Sequence, residues 1–341
     1  MKKIVINFEY CSKANDEILL DVYSYYNSMK KDHILITNKR IIIEAERGCK
    51  HTASNVLTNT KSTLYAQLLK AIVYVYMTEG KAFCLGNVSV EVSGETINYK
   101  AEDIINPCLH DMDNQLTVSK SQCKKIFENY GSNANLLIAF ICYIKGIQEN
   151  DFDWLWKSFN SVYSIISAKD KEFDKLCDVK KFITTNWVNM ERTDKYMNNE
   201  TKDSLRKLRI REFVLNDYEN LSKTKAYADM VKSFEDCRMA SLFNEIMPYR
   251  RDNLINEGLF HDVDSYLHRQ IRAGTINNCD LARFYILKYS YFLRNKYFHA
   301  EKGAPVFVLR KNNEIIELDK ICEILSLFLA DLFDCYDKFC R

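Results

Sequence analysis

Residues 281–299 read LARFYILKYSYFLRNKYFH, and the stretch YFLRNKYFHAEKG carries the same pattern on to 303. Apolar and aromatic side chains recur here at helical spacing, and Gly303 and Pro305 stand just beyond as terminators. The spacing predicts a long helix over 279–298. Downstream, LDKICEILSLFLADLFDCYDKFC puts Ile321, Leu325, Phe328, Leu332, Tyr336 and Phe339 on one helical stripe, with Asp319 as the expected N-cap. Only PVFVL (305–309) and NEIIEL (313–318), between these two helices, read as extended. Upstream, helical patterns follow one another over 119–129, 133–148, 151–168, 170–187, 200–220, 225–247 and 262–272. With three prolines and nine glycines in 341 residues, little interrupts them. The fold is expected to be mainly α, with a helical domain over 111–341.

The first part of the chain has a different character. Residues 3–9 read as a strand, and NDEILLDVYSYYNSMK (15–30) as a short amphipathic helix with Ile18, Val22 and Tyr25 on one face. HILIT and IIIEA flank Asn38-Lys39-Arg40 as a hairpin of β-branched residues. A helix with Leu64, Leu68, Ile72 and Val75 on one side ends at Gly80, a residue suited to a left-handed cap. NVSVEVSGETINYK alternates by twos around Ser93-Gly94, a second hairpin. A small α+β domain is expected over 1–110.

Hydrophobic residues make up 47% and charged residues 28%, enough apolar material for packed cores rather than disorder. A net charge of +2 is lower than a protein that coats nucleic acid by bulk charge usually carries, but a nuclease that grips a few phosphates needs no more, so charge neither supports nor excludes RNA as the substrate. The twelve cysteines are scattered and form no C-x-x-C pair; Cys142 and Cys322 fall at apolar helical positions, so buried free thiols are expected. The apolar run of MKKIVINFEYC is too short for a signal peptide, and LLKAIVYVYM and NLLIAFICYI are too short to span a bilayer. A cytoplasmic location without membrane association is expected.

Arg294 and His299 end the helix of the opening stretch. On an unbroken helix, residues five apart differ by about 140° of rotation and roughly 7.5 Å of rise, so they share a face only if the helix loosens. The chemistry of the pair suits RNA cleavage. Histidine titrates near neutral pH and can take the proton of a 2′-hydroxyl or return one to the leaving 5′-oxygen. Arginine presents a fixed positive fork to a phosphoryl group gaining charge. Spacing alone carries little weight, since a histidine near a helix end is more often a cap than a catalyst.

The segment resembles the Arg-x(4–6)-His motif of HEPN-domain ribonucleases, a group that includes bacterial toxins and abortive-infection nucleases. Asn295 follows the arginine, the motif ends the penultimate long helix, and DFDWLWKSFNSVYS upstream resembles the first HEPN helix of Apea-like members, with Asn160 at its Phe-Asn step. The resemblance covers about 130–341. It implies a HEPN-like helical bundle, homodimerisation through the motif helices, and metal-independent RNA cleavage with no cofactor, by a toxin or antiphage effector. Arg294 and His299 then carry catalysis, Asn295 supports them, and Asn160 holds its helix against the motif. Where adenylylation-controlled members have tyrosine two residues after the histidine, Glu301 stands here, so that control is not carried over.

Other residues bear on the same question. Lys202, Arg206, Lys207, Arg209 and Arg211 form the basic face of a helix whose apolar side is Leu205, Leu208 and Phe213. With Arg250 and Arg251 they are the candidates for guiding an RNA backbone. His261, Asp262, Asp264 and His268, and His110, Asp111 and Asp113, resemble fragments of metal sites. They read more simply as solvated helix starts, so no metal is expected. Trp154, Trp156 and Trp187 are expected in the core. Two readings compete with the ribonuclease: a non-catalytic HEPN module binding RNA or a partner protein, and, further off, a metal-dependent phosphohydrolase. The N-terminal domain is open to three roles, sensing a trigger, selecting RNA or binding an inhibitor protein, and its sequence does not choose among them.

Overall fold

The computed structural model describes residues 2–10, 17–24, 28–48, 51–105, 108–128, 133–218, 220–298 and 310–339. Its tertiary contacts divide the chain into two units, one of residues 1–168 and 329–341, the other of residues 169–328. The expected boundary at 110 thus differs from the grouping of contacts: three helices beyond it and the end of the chain group with the N-terminal residues.

The first unit is built on an antiparallel sheet of β1 (Lys2–Tyr10), β2 (Ile18–Tyr23), β3 (Lys31–Ile36), β4 (Arg40–Arg47), β5 (Phe83–Val92), β6 (Glu95–Tyr99) and β7 (Cys108–Leu109). The order is β2-β3-β4-β1-β5-β6, with β7 pairing to β5. Both expected hairpins are present. In the second, Ser93 (φ 53°) and Gly94 (φ 91°) both take the positive φ that a two-residue turn of matching twist requires. Alternation sets the register. Ile4, Ile6 and Phe8 of β1 pair with Ala45, Ile43 and Ile41 on one side and with Val92, Val90 and Val88 on the other. All nine are buried, so one face of the sheet is core.

Residues 18–23 are a strand, not the expected helix. Leu20, Val22 and Ser24 are buried at a period of two, and pairing with β3 decides the matter. Ile18 and Val22 fit either period, while Tyr25 lies outside the described residues. β2 is an edge strand, and the helix α2 (Lys120–Glu128) covers it: the Asp21 amide donates to Glu128 Oε1 (2.9 Å) and Lys124 Nζ donates to the Leu19 carbonyl (3.0 Å).

The helix α1 (Thr63–Glu79) packs on β3 and β4, capped by Ser62 at its start and by Gly80 (φ 64°) at its end. Helices α3 (Asn133–Glu149) and α4 (Phe152–Ile166) form a hairpin. Asp151 caps α4 by accepting from the amides of Asp153 and Trp154. The last turns of α15 (Asn313–Asp334) supply Phe333, whose ring stacks on Phe140 at 4.0 Å, and α16 (Tyr336–Phe339) follows. Trp156 is in this core, as expected. Trp154 is only half-buried, with Lys145 and Lys157 over its ring, and Trp187 is likewise half-buried.

The second unit is helical: α5 (Glu172–Asn186), α6 (Glu191–Asn198), α7 (Lys202–Leu205), α8 (Ile210–Asp217), α9 (Thr224–Lys232), α10 (Cys237–Ile246), α11 (Arg251–Asn256), α12 (Phe260–Ala273), α13 (Asn278–Arg283) and α14 (Ser290–Phe298), with the first part of α15. The expected single helix over 200–220 is broken between Leu205 and Ile210. The expected strand NEIIEL is instead the first turns of α15. Asn312 is the residue that starts it, accepting from the Ile315 amide through Oδ1 at 3.0 Å, so Asp319 lies inside the helix rather than at its cap. PVFVL lies outside the described residues.

Candidate functional site

The motif-bearing helix runs from Asn278 to Phe298 with a π-helical segment, Phe284–Tyr289, between α13 and α14. Its start is anchored by carboxylates. Asn277 caps α13 by accepting from the Asp280 amide, and the Asn277 amide donates to Asp236 Oδ2 (2.8 Å). Asp236, fully buried, also caps α10 and binds the guanidinium of Arg238. The Ser290 backbone amide donates to the Tyr285 carbonyl, five residues back, closing the π turn, and the Ser290 hydroxyl donates to the same carbonyl at 2.8 Å.

Arg294 emerges five residues after Tyr289. Its Nη1 donates to Asn295 Oδ1 at 3.0 Å, and its guanidinium lies 5.9 Å from the centre of the Tyr291 ring. Burial raises the pKa of the Tyr291 hydroxyl; the Glu172 carboxylate adds to the shift and Arg294 opposes it. Arg294 and Asn295 are therefore brought together. His299 lies outside the described residues, as does Glu301. Asn160 belongs to the first unit, on the exposed side of α4.

The helix is gripped from two sides by buried acid–tyrosine pairs. Tyr285 Oη donates to Glu200 Oε2 (2.6 Å), which also accepts from Lys320 Nζ (2.6 Å) and Ser204 Oγ (2.9 Å). Tyr289 Oη donates to Glu317 Oε1, and Arg209 binds the same carboxylate through its amide (2.8 Å) and Nε (2.7 Å). Burial beside a carboxylate raises the pKa of both tyrosines well above the usual phenol range, keeping them donors. Burial also lowers the pKa of the Lys320 ammonium, with Glu200 opposing. The sequence reading missed Tyr285, Tyr289, Glu200 and Glu317. The i, i+4 tyrosines were visible, but their partners lie 85 and 28 positions away.

The basic candidates divide sharply. Lys202 (2.6 Å) and Arg206 pair with Glu245, Arg206 also with Asp203, and hydrogen bonds from Arg206 and Lys202 hold the Glu245 carboxyl down at about 2. Arg209 is committed to Glu317, Glu314 and Glu212. Arg250, 2% exposed, donates to the Asn220 carbonyl and the Thr224 hydroxyl, so it offers solvent nothing. Lys207, Arg211 and Arg251 are exposed, Arg211 over Tyr249 at 4.4 Å and Arg251 over Phe260 at 5.3 Å.

The acidic fragments have local duties. Asp113 caps a short turn, Asp111 accepts from the Ala82 amide, the His110 amide donates to Gln148, Asp262 pairs with Lys232, and Asp264 lies beside His268. Among the described residues no three His, Cys, Asp or Glu side chains group as metal ligands, and the described cysteines are free thiols. No described helix is long and apolar enough to cross a membrane. Set beside known proteins, the chain matches no family model, no curated protein and no solved structure.

Proposed function

We propose that this chain is a metal-independent endoribonuclease of HEPN type, acting as a homodimer in a toxin or antiphage-defence role. The observation that carries the reading is the Arg294–Asn295 hydrogen bond at the end of the 278–298 helix, where an amide oxygen fixes the arginine fork. His299, four residues beyond Asn295, takes the proton of the attacking 2′-hydroxyl or supplies one to the 5′-oxygen. Arg294 neutralises the charge that gathers on the phosphoryl oxygens. Two copies of the motif across a two-fold axis supply base, acid and clamp together. No step requires a metal or other cofactor.

The exposed cations Lys207, Arg211 and Arg251 are the backbone-guiding residues in this scheme, and the sheet-bearing unit is the seat for a trigger or inhibitor protein. The test is cleavage of an RNA oligonucleotide by the full chain and by Arg294→Ala and His299→Ala. Expected are 2′,3′-cyclic phosphate ends, insensitivity to chelator, and loss of cleavage in both variants. Cleavage lost with chelator, or ending in a 3′-hydroxyl, assigns a metal-dependent phosphohydrolase instead. RNA affinity without turnover, unchanged in His299→Ala, assigns a non-catalytic module.

A further inference from the structure

A π turn holds one residue more than an α turn, so everything after it is displaced around the axis by about one residue, on the order of 100°. The direction in which Arg294 emerges is therefore set by the segment Phe284–Tyr289 upstream of it. Were this segment to relax to α-helix, Leu293, fully buried, would turn toward the direction Arg294 now takes, and Arg294 toward that of Asn295. An α-helix is the ordinary state of such a sequence, so something must hold the alternative.

Two tyrosine–carboxylate pairs hold it. Tyr285 and Tyr289 bracket the π segment, and each hydroxyl ends on a buried carboxylate. Glu317, 2% exposed, comes from α15, and Arg209, from the break before α8, locks it with two donors, its amide and Nε, and with the charge of its guanidinium. The Arg209 amide also donates to Tyr289 Oη at 2.9 Å, so three separate parts of the chain meet on one phenol. A buried carboxylate with this many donors is rigid, because any rotation leaves a charge unpaired in the interior.

We infer that Tyr289, Glu317 and Arg209 are positioning residues: by fixing the π turn they fix the rotational phase at which Arg294 is presented to the scissile phosphate. Arg209, counted from sequence among the phosphate-binding cations, acts from inside the fold instead. The inference rests on the ribonuclease reading above for its substrate, but its structural half stands apart from it.

The test uses full-length Tyr289→Phe, which deletes one hydroxyl, and Tyr285→Phe as a second variant should the first fail to fold. Hydrogen exchange of amides 290–298 is read beside RNA cleavage under saturating and subsaturating substrate. Expected are exchange at least tenfold faster in that stretch, kcat lowered at least tenfold, and KM within twofold of the parent. Exchange unchanged from the parent overturns the inference, and so does unchanged kcat in a folded variant of an active parent. If the parent cleaves no RNA, the ribonuclease reading fails by itself, and the exchange measurement alone decides whether the tyrosine–carboxylate pair holds the turn.

Discussion

Gly146 in α3 sits directly against Leu155 in α4: a Cβ at Gly146 would stand 2.7 Å from Leu155 Cγ and 3.0 Å from the Leu155 amide nitrogen. The hairpin is that tight because no side chain separates the helices there, and Ser158 uses the closeness to donate to the Ala139 carbonyl (2.8 Å). Gly146→Ala should gain about 1 kcal/mol of helix propensity and lose about 1–3 kcal/mol to overpacking. A net fall in thermal midpoint is expected. A midpoint at or above the parent's would show that α4 can move aside.

Asp32, fully buried at the start of β3, receives both Arg47 terminal nitrogens at 2.6 Å, with Gln67 and Ser24 as further donors. Arg47→Met removes the bidentate cation from this buried carboxylate, leaving it Gln67, Ser24 and the charge of Lys70, and should cost about 3–5 kcal/mol in urea unfolding. The double change Asp32→Leu/Arg47→Met should cost less than this single one. A larger loss in the double variant would mean that the pair itself, not the orphaned charge, carries the stability.

Lys70 on α1 is 5% exposed, and burial lowers its pKa to about 8 against the opposing charge of Asp32. Between about pH 8 and the unfolded value near 10.4 the unfolded chain holds the proton that the folded one has released, so stability from this group rises with pH. Lys70→Met should therefore be more stable than the parent at pH 7, by a few kcal/mol. The gap should narrow toward pH 10. Unfolding both proteins across that range and taking the difference cancels the tyrosines and cysteines that titrate nearby; a difference flat in pH would refute the assignment.

Glu245 holds Lys202 and Arg206 away from solution partners. Glu245→Gln should leave the thermal midpoint nearly unchanged, since all three groups are substantially exposed. If the chain binds RNA through this face, affinity should rise and its salt dependence steepen by up to about 0.7 in log–log slope for each phosphate gained. Fluorescence anisotropy with a single-stranded oligonucleotide at several salt concentrations reads both. Unchanged binding removes Lys202 and Arg206 from the RNA path.

What sequence carried well was local. The hairpin around Ser93-Gly94 and the helix ending at Gly80 depend on a few adjacent residues whose backbone preferences point one way. Residues 18–23 read as a helix from sequence because their apolar positions satisfy two periods, and only the partner strand decides between them. NEIIEL looks extended by β-branched content, yet Asn312 starts a helix there and Glu317 is drawn into the core by Arg209 and Tyr289. The same long-range pairing defeated the basic face. Five cations in one stretch look alike in sequence, but whether each meets a carboxylate or solvent depends on residues 245, 314 and 317. The π turn leaves no mark in composition at all.

The first unit is discontinuous, and vectorial synthesis gives that a cost. Residues 1–168 leave the ribosome with Phe140 and Tyr143 still lacking Phe333, the ring that covers them, and 160 intervening residues must be made before it arrives. Until then an aromatic patch on α3 waits in the open, a site where nascent chains stick to one another or to a chaperone. A chain stopped at residue 328 should thus be least soluble through its N-terminal part, although the missing residues are all at the other end.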